Sequence, residues 1–136
     1  MIGARRLEKA ELGTYWGTDM YDNFQGFGTV QLQHSLPLFE VSDFSNRVRD
    51  RIEIEERQIH SYWVKIDTTS CSYGELRAMM VYTDKPVASC PSSCILNHLD
   101  LVVFGPDGES YFPNGLTDTP EKENTAERIV IDDPQH

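Results

Sequence analysis

Asp84, Asn97 and Asp100 are residues whose types and spacing could do chemistry in this chain. Carboxylate and amide oxygens are the hard ligands calcium prefers, and its shell takes roughly six to eight of them. Three side chains would therefore need backbone carbonyls and water to complete a calcium site. The same residues have a structural use. Asp84 can open the turn before Pro86, while Asn97 and Asp100 can bond loop amides through their side chains. In either case two carboxylates held close need a cation or several amide donors to offset their repulsion.

Cys71, Cys90 and Cys94 form the second candidate set. Cys90-Pro-Ser-Ser-Cys94, with His98 four residues further on, could combine with Cys71 to offer three thiolates and an imidazole to zinc. Zinc ligand pairs more often come as C-x2-C knuckles, and Cys71 would have to arrive from a separate loop, so zinc is the weaker reading. A disulfide is the stronger one in an oxidising compartment, either within the 90–94 loop or between Cys71 and one of the pair. One cysteine is then left over. A thiol switch is poorly supported, since no basic neighbour or helix N-terminus stands ready to lower a thiol pKa.

The elements that must position these residues are mostly strands. Residues 2–10 place Ile2, Arg6, Leu7 and Ala10 at helical spacing before Gly13, which predicts a short helix. Residues 14–28 have the Gly, Asp and Asn content of a connector. Val30 and Leu32 alternate with polar neighbours up to Pro37, as a strand would. His60, Tyr62, Val64 and Ile66 share one face of a second predicted strand over 58–66. Residues 76–83 form a third, apolar in part on both faces and so expected to be central. Residues 99–104 and 109–112 flank Gly105-Pro-Asp-Gly108 as a hairpin, and 128–131 form a last short strand. Short strands with one N-terminal helix predict a mainly β chain, an antiparallel β-sandwich of jelly-roll type. Tyr62, Trp63, Tyr73, Tyr82 and Phe104 are expected in its core more than in a ligand groove.

Composition narrows the partners. The chain has 136 residues, 39% of them apolar, and a formal net charge of −10 from 22 acidic and 12 basic side chains. Such a charge opposes nucleic-acid binding and suits divalent cations. No apolar run reaches the roughly 18 residues that would span a bilayer. Met1 to Ala10 holds arginines but no apolar signal core.

The blocks Gly74-Glu-Leu-Arg-Ala-Met-Met-Val-Tyr-Thr-Asp84 and Leu96-Asn-His-Leu-Asp-Leu-Val-Val-Phe-Gly-Pro-Asp-Gly108 resemble the accessory β-sandwich that follows the catalytic domain in one branch of subtilisin-like serine proteases. Tyr111-Phe-Pro-Asn114, Asp118, Asn124 and Glu127-Arg-Ile-Val-Ile131 follow in the family's order. Upstream, Asn23-Phe-Gln-Gly-Phe-Gly-Thr-Val-Gln-Leu32 resembles the segment that closes the catalytic domain. Thr29, Tyr82 and His98 depart from the family's usual Arg, Trp and Asp.

The resemblance implies that residues 1–36 are the end of a catalytic domain, with the short helix left over from it, and a linker. Residues 37–136 would be the accessory sandwich without the family's last strand. It further implies a non-catalytic portion of a serine endopeptidase that stabilises or positions the catalytic domain of the same parent. For that parent a secreted or endomembrane compartment is expected. A subtilisin-type reaction needs a serine, a histidine and an aspartate with an oxyanion hole. Gly17-Thr-Asp-Met20 only mimics the family's nucleophile block, having Asp19 at the serine position, and His34, His60, His98 and His136 match none of its catalytic blocks. The chain itself is therefore not expected to cleave peptides. The competing reading is an independent β-sandwich binding module for carbohydrate or protein.

Overall fold

The computed structural model describes residues 2–5, 21, 26–42, 44–67, 74–90 and 94–134. Among them, four strands follow one another: β1 (Glu75–Val81), β2 (Val103–Phe104), β3 (Ser110–Tyr111) and β4 (Ala126–Asp132). A single 3-10 turn, Leu32–His34, precedes them. The strands pair antiparallel as β1 with β4 and β2 with β3. The described chain is thus mainly strand, in small antiparallel sheets.

β4 carries the run Arg-Ile-Val-Ile, whose β-branched side chains suit a pleated surface. Its register with β1 sets Leu76 against Ile131, Ala78 against Ile129 and Met80 against Glu127 on one face. Arg77 against Val130 and Met79 against Arg128 make the other. Ile129 and Ile131 are buried at 2% and 7% exposure, and each such burial stabilises by roughly 1.5 to 3 kcal/mol. Ala4 and Phe27 complete the buried apolar set.

The hairpin over Gly105-Pro-Asp-Gly108 forms as the turn chemistry predicts. Gly108 sits at φ 85°, its amide donates to the Gly105 carbonyl at 3.1 Å, and Gly105 donates to Glu109 at 2.8 Å. Its strands are shorter than expected, with Val103 facing Tyr111 and Phe104 facing Ser110.

Several expectations change. Within the predicted helix, residues 6–10 lie outside those described, and residues 2–5 are not helical. Arg5 instead exchanges backbone hydrogen bonds with Thr29, at 2.9 and 2.7 Å. Gly3 explains the difference: a Cβ built there would lie 2.0 Å from the His34 carbonyl oxygen, so the chain passes against another backbone where only glycine fits. The strand predicted around Val30 and Leu32 is reduced to that bridge and the 3-10 turn. β1 is not central, having one partner among the described residues.

Residues 58–66 form no strand. They belong to an exposed arm in which Ile59 and Trp63 are 88% and 96% exposed, while the Arg49 guanidinium lies 4.5 Å from the Tyr62 ring centre. Period-two alternation marks a surface that can be half buried, but a ladder needs a partner edge. Tyr62, Trp63 and Phe104 are accordingly exposed rather than in a core. Tyr73 lies outside the described residues.

Denaturant unfolding should separate these regions. Ile129→Ala and Ile131→Ala are each expected to cost about 2 to 4 kcal/mol, whereas Ile59→Ser and Trp63→Ser should stay within about 0.5 kcal/mol. Equal losses at both places would refute the assigned core.

Candidate functional site

Asp84 leaves the β1 end just as the chain turns, and Asn97 comes back to it. The Asp84 carboxylate accepts from the amides of Lys85 at 2.8 Å, Leu96 at 2.5 Å and Asn97 at 3.0 Å, and from Asn97 Nδ2 at 2.8 Å. The Asn97 bonds foremost, with those from Leu96 and Lys85, hold the Asp84 carboxyl down at about 2. Amide donors thus neutralise this carboxylate. Asn97 presents its donor end to Asp84, whereas a cation shared between them would call for its oxygen. Asp100 Oδ1 lies 3.5 Å from His98 Nδ1.

A second polar cluster surrounds β4. Glu121 is buried, and its two oxygens accept from Lys122 N at 2.8 Å, Glu123 N at 2.7 Å, Asn114 Nδ2 at 2.8 Å and Asn124 Nδ2 at 2.9 Å. Burial pushes its pKa up, but Asn114 and the other donors outweigh burial and leave it below the usual carboxylate range. Asn114, at φ 56°, adopts a left-handed conformation that asparagine tolerates well. From there its main chain and Oδ1 clasp Arg128, with Asn114 N to Arg128 O at 2.9 Å and Arg128 N to Asn114 Oδ1 at 3.0 Å. The Tyr21 hydroxyl donates to Asn124 Oδ1 at 2.7 Å, and His98 Nε2 meets the Glu121 carbonyl.

Glu127 is fully buried on the same strand face as Ile129 and Ile131. Its Oε2 accepts from the Leu101 amide at 2.6 Å, and its Oε1 has no hydrogen-bond partner among the described residues. Burial, reinforced by the negative charges of Asp100 and Glu121, raises its pKa to about 7, against the opposing pull of the Leu101 amide and His98. On the other face, Arg77 Nη1 donates to the Ile2 carbonyl at 3.3 Å and Arg128 Nη1 to the Ala4 carbonyl at 3.2 Å. The Arg128 guanidinium also lies 4.9 Å from the Phe27 ring centre, and Arg77 pairs with Glu75.

Of the cysteines, Cys90 and Cys94 are joined in a disulfide. Cys71 and the Gly17-Thr-Asp-Met20 tetrapeptide lie outside the described residues. A hollow of about 360 Å³, lined by Ala4, Phe27, Val30 and Ala126 among others, is mostly apolar. Among the described residues no group of three or more His, Cys, Asp and Glu side chains is placed to hold a metal ion. Among the same residues no helix is long and apolar enough to cross a membrane. Comparison with family models, curated proteins and solved structures finds no match for this chain.

The sequence reading grouped Asp84, Asn97 and Asp100, of which the structure bonds Asp84 to Asn97, and it missed the Glu121 hub and the buried Glu127. Glu127, Ile129 and Ile131 alternate, and that period alone places the carboxylate on the apolar face.

Because the folded-state pKa of Glu127 lies above that of the unfolded chain, its contribution to stability is fully present below about pH 4.5 and is lost as pH rises through about 7. The loss is at most about 3 kcal/mol. Glu121 acts oppositely, its contribution being lost as the solution turns acid. Glu127→Gln keeps an acceptor for Leu101 without the charge. It should exceed the wild-type chain in stability at pH 8 by roughly 1 to 3 kcal/mol and match it near pH 5. Chemical denaturation at the two pH values checks this, and a variant weaker than wild type at pH 8 would contradict it.

Proposed function

We propose that this chain is the non-catalytic C-terminal portion of a subtilisin-like serine endopeptidase, in which a β-sandwich formed by residues 37–136 stabilises the catalytic domain by gripping its end. The reading rests on the ordered motif blocks and on one structural observation. Arg77 and Arg128, from opposite strands of the β1–β4 ribbon, bond the carbonyls of Ile2 and Ala4. In the proposed division those carbonyls belong to the close of the catalytic domain, and the arginines to its appendage. The motif residues Asp84, Asn97, Asn114, Asn124 and Glu127 act in the same sense. Each is hydrogen-bonded into the fold, which suits a role by burial and positioning rather than by reaction.

Calcium fits this reading only as an added ligand. At the Asp84–Asn97 lock it would have to displace the N–H donors already bonded there. A second reading, an independent module that binds carbohydrate or protein, draws on the exposed aromatic rings of Tyr62 and Trp63. A glycan array probed with the chain would support it by a hit that Trp63→Ala abolishes.

Two measurements test the leading reading. The isolated chain should neither cleave a peptide library nor be labelled by a fluorophosphonate, and either signal would overturn it. In the parent protease, Arg77→Ala with Arg128→Ala should shorten the half-life at elevated temperature while leaving kcat/KM near its original value at 25 °C. An unchanged half-life would remove the stabilising role.

The lock has its own test. Asp84→Ala should lower Tm, because the amides of Leu96 and Asn97 lose their acceptor. A chelator should leave the Tm of the unmodified chain unchanged. A chelator-induced fall, growing with the free calcium used for comparison, would assign the neutralisation to calcium.

A further inference from the structure

The exposed arm holds the run Arg47-Val-Arg-Asp-Arg-Ile-Glu-Ile-Glu55. In extended form it sets Arg47, Arg49, Arg51, Glu53 and Glu55 on one face and Val48, Asp50, Ile52 and Ile54 on the other. Val48 and Ile52 are 76% and 53% exposed, and among the described residues no backbone hydrogen bond joins 47–54 to another strand. An open strand carrying apolar side chains is a template for pairing. The charge gradient then says with what: basic residues lead and acidic residues follow, so the run is complementary to itself when reversed.

We propose that residues 47–55 pair antiparallel with the same segment of a second copy of the chain, about a two-fold axis at Arg51. In that register Arg47 faces the partner's Glu55, Arg49 faces the partner's Glu53 and Val48 faces the partner's Ile54, and the symmetry repeats each contact in reverse. Directly opposed unlike charges and apolar pairs stabilise a sheet, and like charges weaken it. A parallel, in-register pairing would oppose arginine to arginine and glutamate to glutamate, so the pattern selects the antiparallel one. The two Arg51 side chains meet at the axis as a like-charge pair, and on the other face Asp50 meets the partner's Ile52. The four flanking Arg–Glu pairs and the Val48–Ile54 pairs must outweigh both, because the 3.6 Å contact of Arg51 with Asp50 belongs to the bent form of the single chain. Arg51 is also at φ 56°, a conformation that arginine adopts with strain and that straightening into a ladder would release.

Sedimentation equilibrium of the full chain should show a monomer–dimer equilibrium, with a limiting mass of twice 15.6 kDa. Glu53→Arg with Glu55→Arg should weaken the dimer at least about tenfold, and so should Arg47→Glu with Arg49→Glu. Mixed in equal amounts, the two variants should associate with each other as tightly as the original chain does with itself. That rescue is outside the reach of a variant that has merely lost its fold, and circular dichroism of each variant alone should match the original. A chain that stays monomeric up to about millimolar concentration, as it would if the arm folds onto its own sheet, overturns the proposal. So does a dimer indifferent to the reversals, or a mixture that fails to associate.

Discussion

A carboxylate buried with one oxygen bonded to an amide and the other to nothing constrains everything around it. Glu127 holds that position on β4, where Oε2 takes the Leu101 amide and Oε1 has no partner among the described residues. Burying an ionised carboxylate without full compensation costs several kcal/mol, so such a group moves its pKa instead. Leu101 opens the segment that leads into the β2–β3 hairpin, and Glu127 is paired with Met80 across the ribbon. One side chain therefore ties the hairpin's approach to both strands of the other sheet, and although the Leu101 bond favours the carboxylate, burial outweighs it and makes the fold most stable with Glu127 uncharged.

The remaining polar groups solve the same problem by a different route. Glu121 and Asp84 are each surrounded by N–H donors from backbone and asparagine, and both stay acidic. These carboxylates act as folded acceptors for loops that have no ladder of their own. The Asp84 lock closes the long connection out of β1, and Glu121 organises the turn that delivers β4. With few fully buried apolar side chains among the described residues, such hydrogen bonds carry much of the loop order. They also explain how a chain with 22 acidic residues can keep some of them inside.

Where an element's own residues carried all the needed information, the sequence was a good guide. The turn at Gly105 to Gly108 requires glycine at positive φ and has it; Arg128 to Ile131 carries three β-branched residues, Ile129 to Ile131, and lies within β4. Asp84 and Asn97 were legible as neighbours because a connection of that length can return to the strand end it left. What could not be read was pairing across distance. β1 and β4 meet although more than forty residues separate them, and nothing in either strand names the other. The arm at 58–66 shows the reverse failure: its alternation is sound, but among the described residues it forms no strand ladder. Likewise the helical spacing of residues 2–10 is real, yet Gly3 against His34 fixes the start of that segment otherwise. Glu127 escaped notice because a glutamate is ordinarily solvated, and only its phase with Ile129 and Ile131 argues against that.

The titration of Glu127 itself tests this account most directly. Carbon-detected NMR of its side-chain carboxyl, followed from pH 3 to 9, should give a midpoint near 7. A midpoint near 4.5, that of a glutamate in water, would show a solvated or fully compensated carboxylate and would contradict the account.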